Sequence, residues 1–198
     1  MYRHSLLDFV SAGVHHKDMK TALLTLCGGL ALTVSAMPAF AALDQGVKAP
    51  EFVTTGALAG QSFSFDLDKA LKKGPVVLYF FPKAFTQGCT LESNAFAEAM
   101  DDFHKAGAQV IGLSADDIPT LKRFSTEECR DAFPVGQATP AIISDYDVAM
   151  VMKGKATGMS DRTSYVIGQD GRVVMVHSDL DWRQHVARTL KAVQSLHH

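Results

Sequence analysis

Apolar and polar positions alternate in recognisable blocks from Gly46 to the C terminus. Residues 46–60 mix Pro, Gly and small side chains and read as an entry segment. Ser62, Phe63, Ser64 and Phe65 then alternate with the two-residue period of a short strand. The turn Lys72-Lys73-Gly74-Pro75 launches a continuous apolar run, 76–81, the pattern of a buried strand. Phe96, Met100 and Phe103 recur at helical spacing as far as Gly107, which predicts a helix with one core-facing stripe. A strand over 110–113 and a helix over 118–129 follow. The chain then passes through Phe133 and Pro134 to Ile142 and Ile143, with a short helical piece expected over 147–152. Residues 163–167 and 173–176, separated by the turn Gln169-Asp170-Gly171, read as a β-hairpin. A closing helix carries Val186, Leu190 and Val193 on one face. Strands alternating with helices predict an α/β layer fold, with a central mixed β-sheet flanked by helices.

The first 41 residues follow a different pattern. Lys20 is followed by an apolar stretch from Ala22 to Val34 and then by Pro38-Ala39-Phe40-Ala41. A charged start, an apolar middle and an Ala-x-Ala end are the three parts of an export signal. The expected division is therefore a signal peptide over 1–41, with Met19 as an alternative start, and a single domain over 42–198. An uncleaved membrane anchor is the other reading, since residues 21–43 approach the length needed to span a bilayer. Small residues at the cleavage position and the helix-interrupting Pro38 favour cleavage. The expected location is periplasmic or secreted, with no stable membrane association after cleavage. Leu24, Thr25 and Leu26 before Cys27 resemble a lipoprotein site only superficially, because a bulky leucine stands where a small residue belongs.

Composition narrows the function classes. With 198 residues, 47% apolar and 20% charged, the chain can bury one sizeable core. The net charge of −2 and the lack of a Lys/Arg run argue against a nucleic-acid surface. Three cysteines are too few for a disulfide scaffold, and they show no zinc-site pairing with the scattered histidines. No metal or cofactor is implied. Cleavage after Ala41 would leave Cys89 and Cys129, and in an oxidising compartment two cysteines in one small domain invite a disulfide.

Chemistry concentrates where the apolar run 76–81 gives way to a helix. Cys89 stands there, and the unpaired N–H groups and positive dipole end of a helix favour a thiolate, the nucleophilic form. Pro82, Thr86 and Cys89 also have the spacing Pro, three residues, Thr, two residues, Cys. This pattern resembles the active-site signature of the peroxiredoxins, and the string from Thr86 to Glu92 is most similar to their Q-type branch, the bacterioferritin comigratory proteins. Residues 162–167, with Asp170 to Val173, resemble the arginine-bearing strand and hairpin of that family. The similarity in element order runs from about Gly46 to the C terminus and implies a thioredoxin-like fold.

The resemblance assigns roles. Cys89 would attack a peroxide oxygen and become a sulfenic acid. Arg162 would supply a fixed cation beside the sulfur and bind peroxide oxygen through its fork of donors. Thr86 would hold the peroxide through a hydroxyl that both donates and accepts. Pro82 would shape and shield the loop. The implied substrates are hydrogen peroxide and organic hydroperoxides, the implied partner is a thioredoxin-like or other thiol reductant, and a monomer is expected. Many Q-type members carry a resolving cysteine five residues after the first, but this chain has Asn94 there. Cys129 is the candidate resolving cysteine. It also falls eight residues after Leu121 on the same apolar face, as a core cysteine would. A one-cysteine cycle using an external thiol stays open. Glu92 is read as structural, one turn into the helix where it suits the dipole. A thiol–disulfide oxidoreductase of the same fold is a competing function, but it would show Cys-x-x-Cys where this chain has Thr86. A redox-sensing or chaperone-like module is the non-enzymatic alternative.

Overall fold

The computed structural model describes residues 42–197. The expected signal segment, its alternative start at Met19 and the expected cleavage point after Ala41 lie outside the described residues. Nine strands are present among them: β1 (Val53–Leu58), β2 (Gln61–Asp66), β3 (Val76–Phe80), β4 (Gln109–Ser114), β5 (Val135–Gln137), β6 (Ala149–Met152), β7 (Lys155–Ser160), β8 (Thr163–Ile167) and β9 (Val173–Ser178). The helices are α1 (Leu67–Leu71), α2 (Gln87–Lys105), α3 (Ile118–Glu127), α4 (Pro140–Asp145) and α5 (His185–Gln194).

Seven strands form one sheet in the order β2-β1-β5-β4-β3-β8-β9, and β6 pairs with β7 apart from it. The sheet is mixed. β3, β4 and β5 run parallel, whereas β8 is antiparallel to β3 and β9 to β8. β3 is buried along its length, and because successive side chains point to opposite faces it serves two cores. Val77, Tyr79 and Phe81 enter the core built with α2, α3 and α5, while Val76, Leu78 and Phe80 enter the core built with α1 and α4. Each aromatic withdrawn from water in this way contributes about 1.5–3 kcal/mol, which anchors the strand whose end carries the chemistry.

Two expectations are corrected. Residues 147–152 are not helical: they lead into strand β6, and the helix lies earlier as α4, where the Thr139 hydroxyl accepts from Ile142 N at 3.3 Å and Pro140 opens the first turn. Residues 149–152 are all apolar with no alternation to mark a strand, and the next two residues, Lys153 and Gly154, both take positive φ (50° and 74°). That is the backbone of a tight hairpin turn. Residues 46–60 likewise hold more than an entry segment. β1 pairs with β2 through a turn at Ala59 and Gly60, whose φ values of 49° and 71° have the same sense. Two threonines and Gly56 blur the alternation of β1, and pairing with β2 and β5 decides its state. Among the described residues no helix is long and apolar enough to cross a membrane.

Candidate active site

The loop after β3 is tied down from both sides. Phe81 N donates to the Leu113 carbonyl at 2.9 Å, and the Ser160 hydroxyl donates to the Phe81 carbonyl at 2.9 Å. Ala84 N donates to Asp116 Oδ2 at 2.7 Å, and that oxygen also accepts from the Ser114 hydroxyl. Pro82 is half-buried inside this frame. Phe85 then takes φ 61°, an unusual conformation for a bulky side chain, and its ring packs edge-on against Phe124 at 5.2 Å. The turn delivers Thr86 in an extended conformation at the N-cap of α2.

Thr86 does not cap the helix with its side chain. Its hydroxyl donates back to the Lys83 carbonyl at 2.9 Å, and the oxygen's lone pairs remain available to a ligand. Gln87, Gly88 and Cys89 are the first three helical residues, and Thr90 N is the donor that closes the first turn on Thr86 O at 2.9 Å. The N–H groups ahead of it belong to the unpaired start of the helix, where an anion is favoured. Cys89 sits at this end and is buried.

Register brings the cation to the sulfur. Phe80 pairs with Thr163 across β3 and β8, so Arg162, one residue outside that pair, lies beside the loop that carries Cys89. Its Nη2 is 3.4 Å from Cys89 Sγ. The guanidinium is held by two further contacts: Nε donates to the Leu180 carbonyl at 3.0 Å and Nη1 donates to Glu92 Oε2, while the backbone N–H of Arg162 donates to Asp161 Oδ1 at 2.6 Å. A Cβ on Gly88 would stand 3.2 Å from Arg162 Nη2, so the glycine gives the guanidinium its place.

Glu92, which the sequence reads as structural, and Gly88, which it does not single out, both belong to this arrangement. Glu92 is completely buried against Arg162. Burial raises its carboxyl to about 8 in spite of the opposing guanidinium. Its signal was available, since residues three apart share a helix face. Gly88 had none, because the need for it arises from a residue far along the chain.

Cys129 follows the end of α3 and shares a core with Cys89; both thiols are free. It is fully buried, and desolvation pushes its thiol well above the ordinary cysteine range, while a hydrogen bond with Ser93 works against that. Ser93 lies 3.0 Å from the Tyr79 hydroxyl. Asn94, at the position expected for a resolving thiol in many Q-type members, joins α2 to the end of α3. It receives Arg130 Nε at 2.8 Å and reaches Glu128 Oε2 at 3.4 Å.

A family model described as the AhpC/TSA family matches residues 45–176. The chloroplastic peroxiredoxin Q of Oryza sativa subsp. japonica is 30% identical over 184 residues, covering 85% of this chain and 82% of that protein. The chloroplastic peroxiredoxin Q of Populus jackii is 31% identical over 158 residues, covering 79% and 71%. Among solved structures, peroxidoxin BcpB from Mycobacterium tuberculosis aligns with a TM-score of 0.69 at 26% identity, over 78% of this chain and 98% of its own. Xylella fastidiosa PrxQ aligns with a TM-score of 0.69 at 20% identity, over 79% and 98%, a likeness of fold.

Proposed function

The chain belongs to the AhpC/TSA family of peroxiredoxins, and from that premise we propose how its residues divide the work of a thiol-dependent peroxidase with a thioredoxin-like fold. Cys89 is the attacking thiol. Its thiolate strikes one oxygen of the peroxide, the O–O bond breaks as the S–O bond forms, and the second oxygen leaves as hydroxide or alkoxide and takes up a proton. Sulfur is oxidised by two electrons and the peroxide is reduced by the same two. The observation that carries this assignment is Arg162 Nη2 at 3.4 Å from Cys89 Sγ, at the open N-terminus of α2. The guanidinium and the first-turn N–H groups aim donors where negative charge moves from sulfur to oxygen. Thr86 steers the peroxide with its hydroxyl, and Pro82 keeps the loop in shape.

Recovery of Cys89 runs through Cys129. The Cys129 thiol attacks the sulfenic sulfur, water leaves, and an intramolecular Cys89–Cys129 disulfide forms. A thioredoxin-like or other thiol reductant then donates two electrons to reopen it. Cys129 is buried, and burial keeps its proton on, so the start of α2 and the segment after α3 must loosen before the sulfurs meet. The protein works as a periplasmic or secreted monomer over residues 42–198 after loss of 1–41, free of the membrane.

Peptide mass spectrometry of the purified full chain, before and after one equivalent of hydrogen peroxide, tests these assignments together. The expected result is rapid oxidation confined to Cys89, followed by a Cys89–Cys129 linkage, with an N terminus at Ala42 in exported protein. A lasting Cys89 sulfenate beside a free Cys129 would overturn the two-cysteine cycle. A Cys89 that reacts no faster than an ordinary exposed thiol would overturn its assignment as the peroxidatic residue.

A further inference from the structure

The two oxygens of Glu92 keep different company. Oε2 accepts from Arg162, whereas Oε1 is buried and receives no hydrogen bond. It faces Nδ1 of His185 at 3.7 Å. His185 opens α5 and is fully buried. Both of its ring nitrogens are committed. Nε2 lies 2.9 Å from the Asp179 carbonyl oxygen, which can only accept, so this nitrogen carries the proton. Nδ1 is therefore the acceptor, and the Ser164 hydroxyl donates to it at 2.8 Å. Burial holds His185 down to about 4, so the ring is neutral at ordinary pH.

An ionised Glu92 would hold a bare carboxylate oxygen beside a neutral ring whose one N–H is spent on Asp179 and whose lone pair is spent on Ser164, with no donor to satisfy it. A protonated Glu92 carries no charge there, so the lack of a donor costs far less. The other groups around the ring do not change this balance. Arg162 ahead of β8 is already committed to Glu92 Oε2 and Cys89 Sγ. His177 on β9, with its ring centroid 4.6 Å away, is disfavoured as a cation by burial and by Arg188 of α5. Asp179 presents its carbonyl oxygen to Nε2. One guanidinium thus stands between two acids, the thiol of Cys89 and the carboxyl of Glu92.

We propose that His185 is a positioning residue for the Cys89 reaction: by covering Oε1 of Glu92 with a neutral ring that has no donor to spare, it keeps that carboxyl neutral and reserves the Arg162 charge for the sulfur. The inference rests on the reading of Cys89 as the reacting thiol. It implies that the closing helix, through its first residue, sets how strongly the site favours thiolate.

The test is the pH profile of Cys89 alkylation by iodoacetamide, mapped by peptide mass spectrometry in the full chain. In His185→Ala, water entering the vacated space would solvate Glu92, and in His185→Gln the amide would donate to it directly. In both, Glu92 ionises earlier and takes up Arg162. The expected profile moves upward by about one pH unit, a roughly tenfold slower alkylation on the acid limb of the profile. Adding Glu92→Gln, whose amide is neutral at every pH, should return both profiles toward wild type. His185→Gln preserves side-chain volume and decides the matter if the alanine variant does not fold. A folded His185→Gln protein with an unmoved profile overturns the proposal. So does a shift that persists after Glu92→Gln, because the ring would then act by packing alone. Alkylation needs no peroxide, so a wild-type Cys89 inert to peroxide would sink the assignment of Cys89 without touching this measurement.

Discussion

Cys89 depends on neighbours that each restrict a different freedom. The helix end supplies donors, Gly88 leaves room, and Arg162 brings charge to 3.4 Å from the sulfur. Cys89→Ser keeps the shape of a buried side chain and should leave thermal stability nearly unchanged. It should abolish peroxide consumption, measured with the thiol reductant in excess. Arg162→Lys retains the charge but loses the planar fork that bonds Glu92, Leu180 and Cys89 at once. Loss of one such fixed donor should slow Cys89 oxidation by about 100-fold in stopped-flow measurements. Leaving the buried, neutral Glu92 without its guanidinium donor should also lower stability by about 1–3 kcal/mol, the cost of an unsatisfied buried polar group, read from urea unfolding. A double loss of rate and stability separates Arg162 from a surface ion pair, whose removal costs about 0–1 kcal/mol.

At the scale of elements, the site is a junction of β3, β8, α2 and the segment after α3. The last of these contacts runs through Asn94, whose amide holds Arg130 and Glu128 to α2. Asn94→Ala should cost about 1 kcal/mol of stability, the net worth of a typical hydrogen bond. It should also speed formation of the Cys89–Cys129 linkage after peroxide addition, followed by quenched-flow mass spectrometry, because less structure has to open. An unchanged or slower linkage would show that this bracket does not gate resolution. Strand packing offers a second check. Gly112 on β4 lies opposite Tyr79 on β3, and an added Cβ would come within 2.6 Å of that ring. Gly112→Ala should destabilise the fold by roughly 1–3 kcal/mol, because the ring is held by Phe96 and by Ser93 and cannot move aside without disturbing α2. Thermal unfolding reads the effect, and a Tm equal to that of wild type would contradict it.

For the whole molecule, the buried Glu92 and His185 oppose each other across the pH scale. Glu92 is raised from 4.5 to about 8, so its contribution to stability is complete below 4.5 and is lost as pH rises toward 8. His185 is lowered from 6.5 to about 4, so its contribution is complete above 6.5 and is lost as pH falls toward 4. Urea unfolding at a series of pH values should therefore give a dome, and Glu92→Gln should flatten the side that falls with rising pH while leaving the acid side in place. The chain's own order of residues settled much of this molecule. The unbroken apolar run 76–81 could only be an interior strand, and the 3.6-residue recurrence of Phe96, Met100 and Phe103 could only be a helix on one of its faces, so the layered α/β fold was written locally. The spacing of Pro82, Thr86 and Cys89 was equally local, being fixed by one turn between one strand and one helix. The state of β1 and β6 was not, because neither shows a clear alternation and both are decided by pairing partners and by two turns of positive φ. The burial of Glu92 against Arg162, the choice of a core position for Cys129 and the place of His185 also required the tertiary structure. Each depends on desolvation and on contacts between residues far apart in sequence, as between Glu92 and Arg162 or His185 and Ser164, and those distances exist only once the sheet has closed its register.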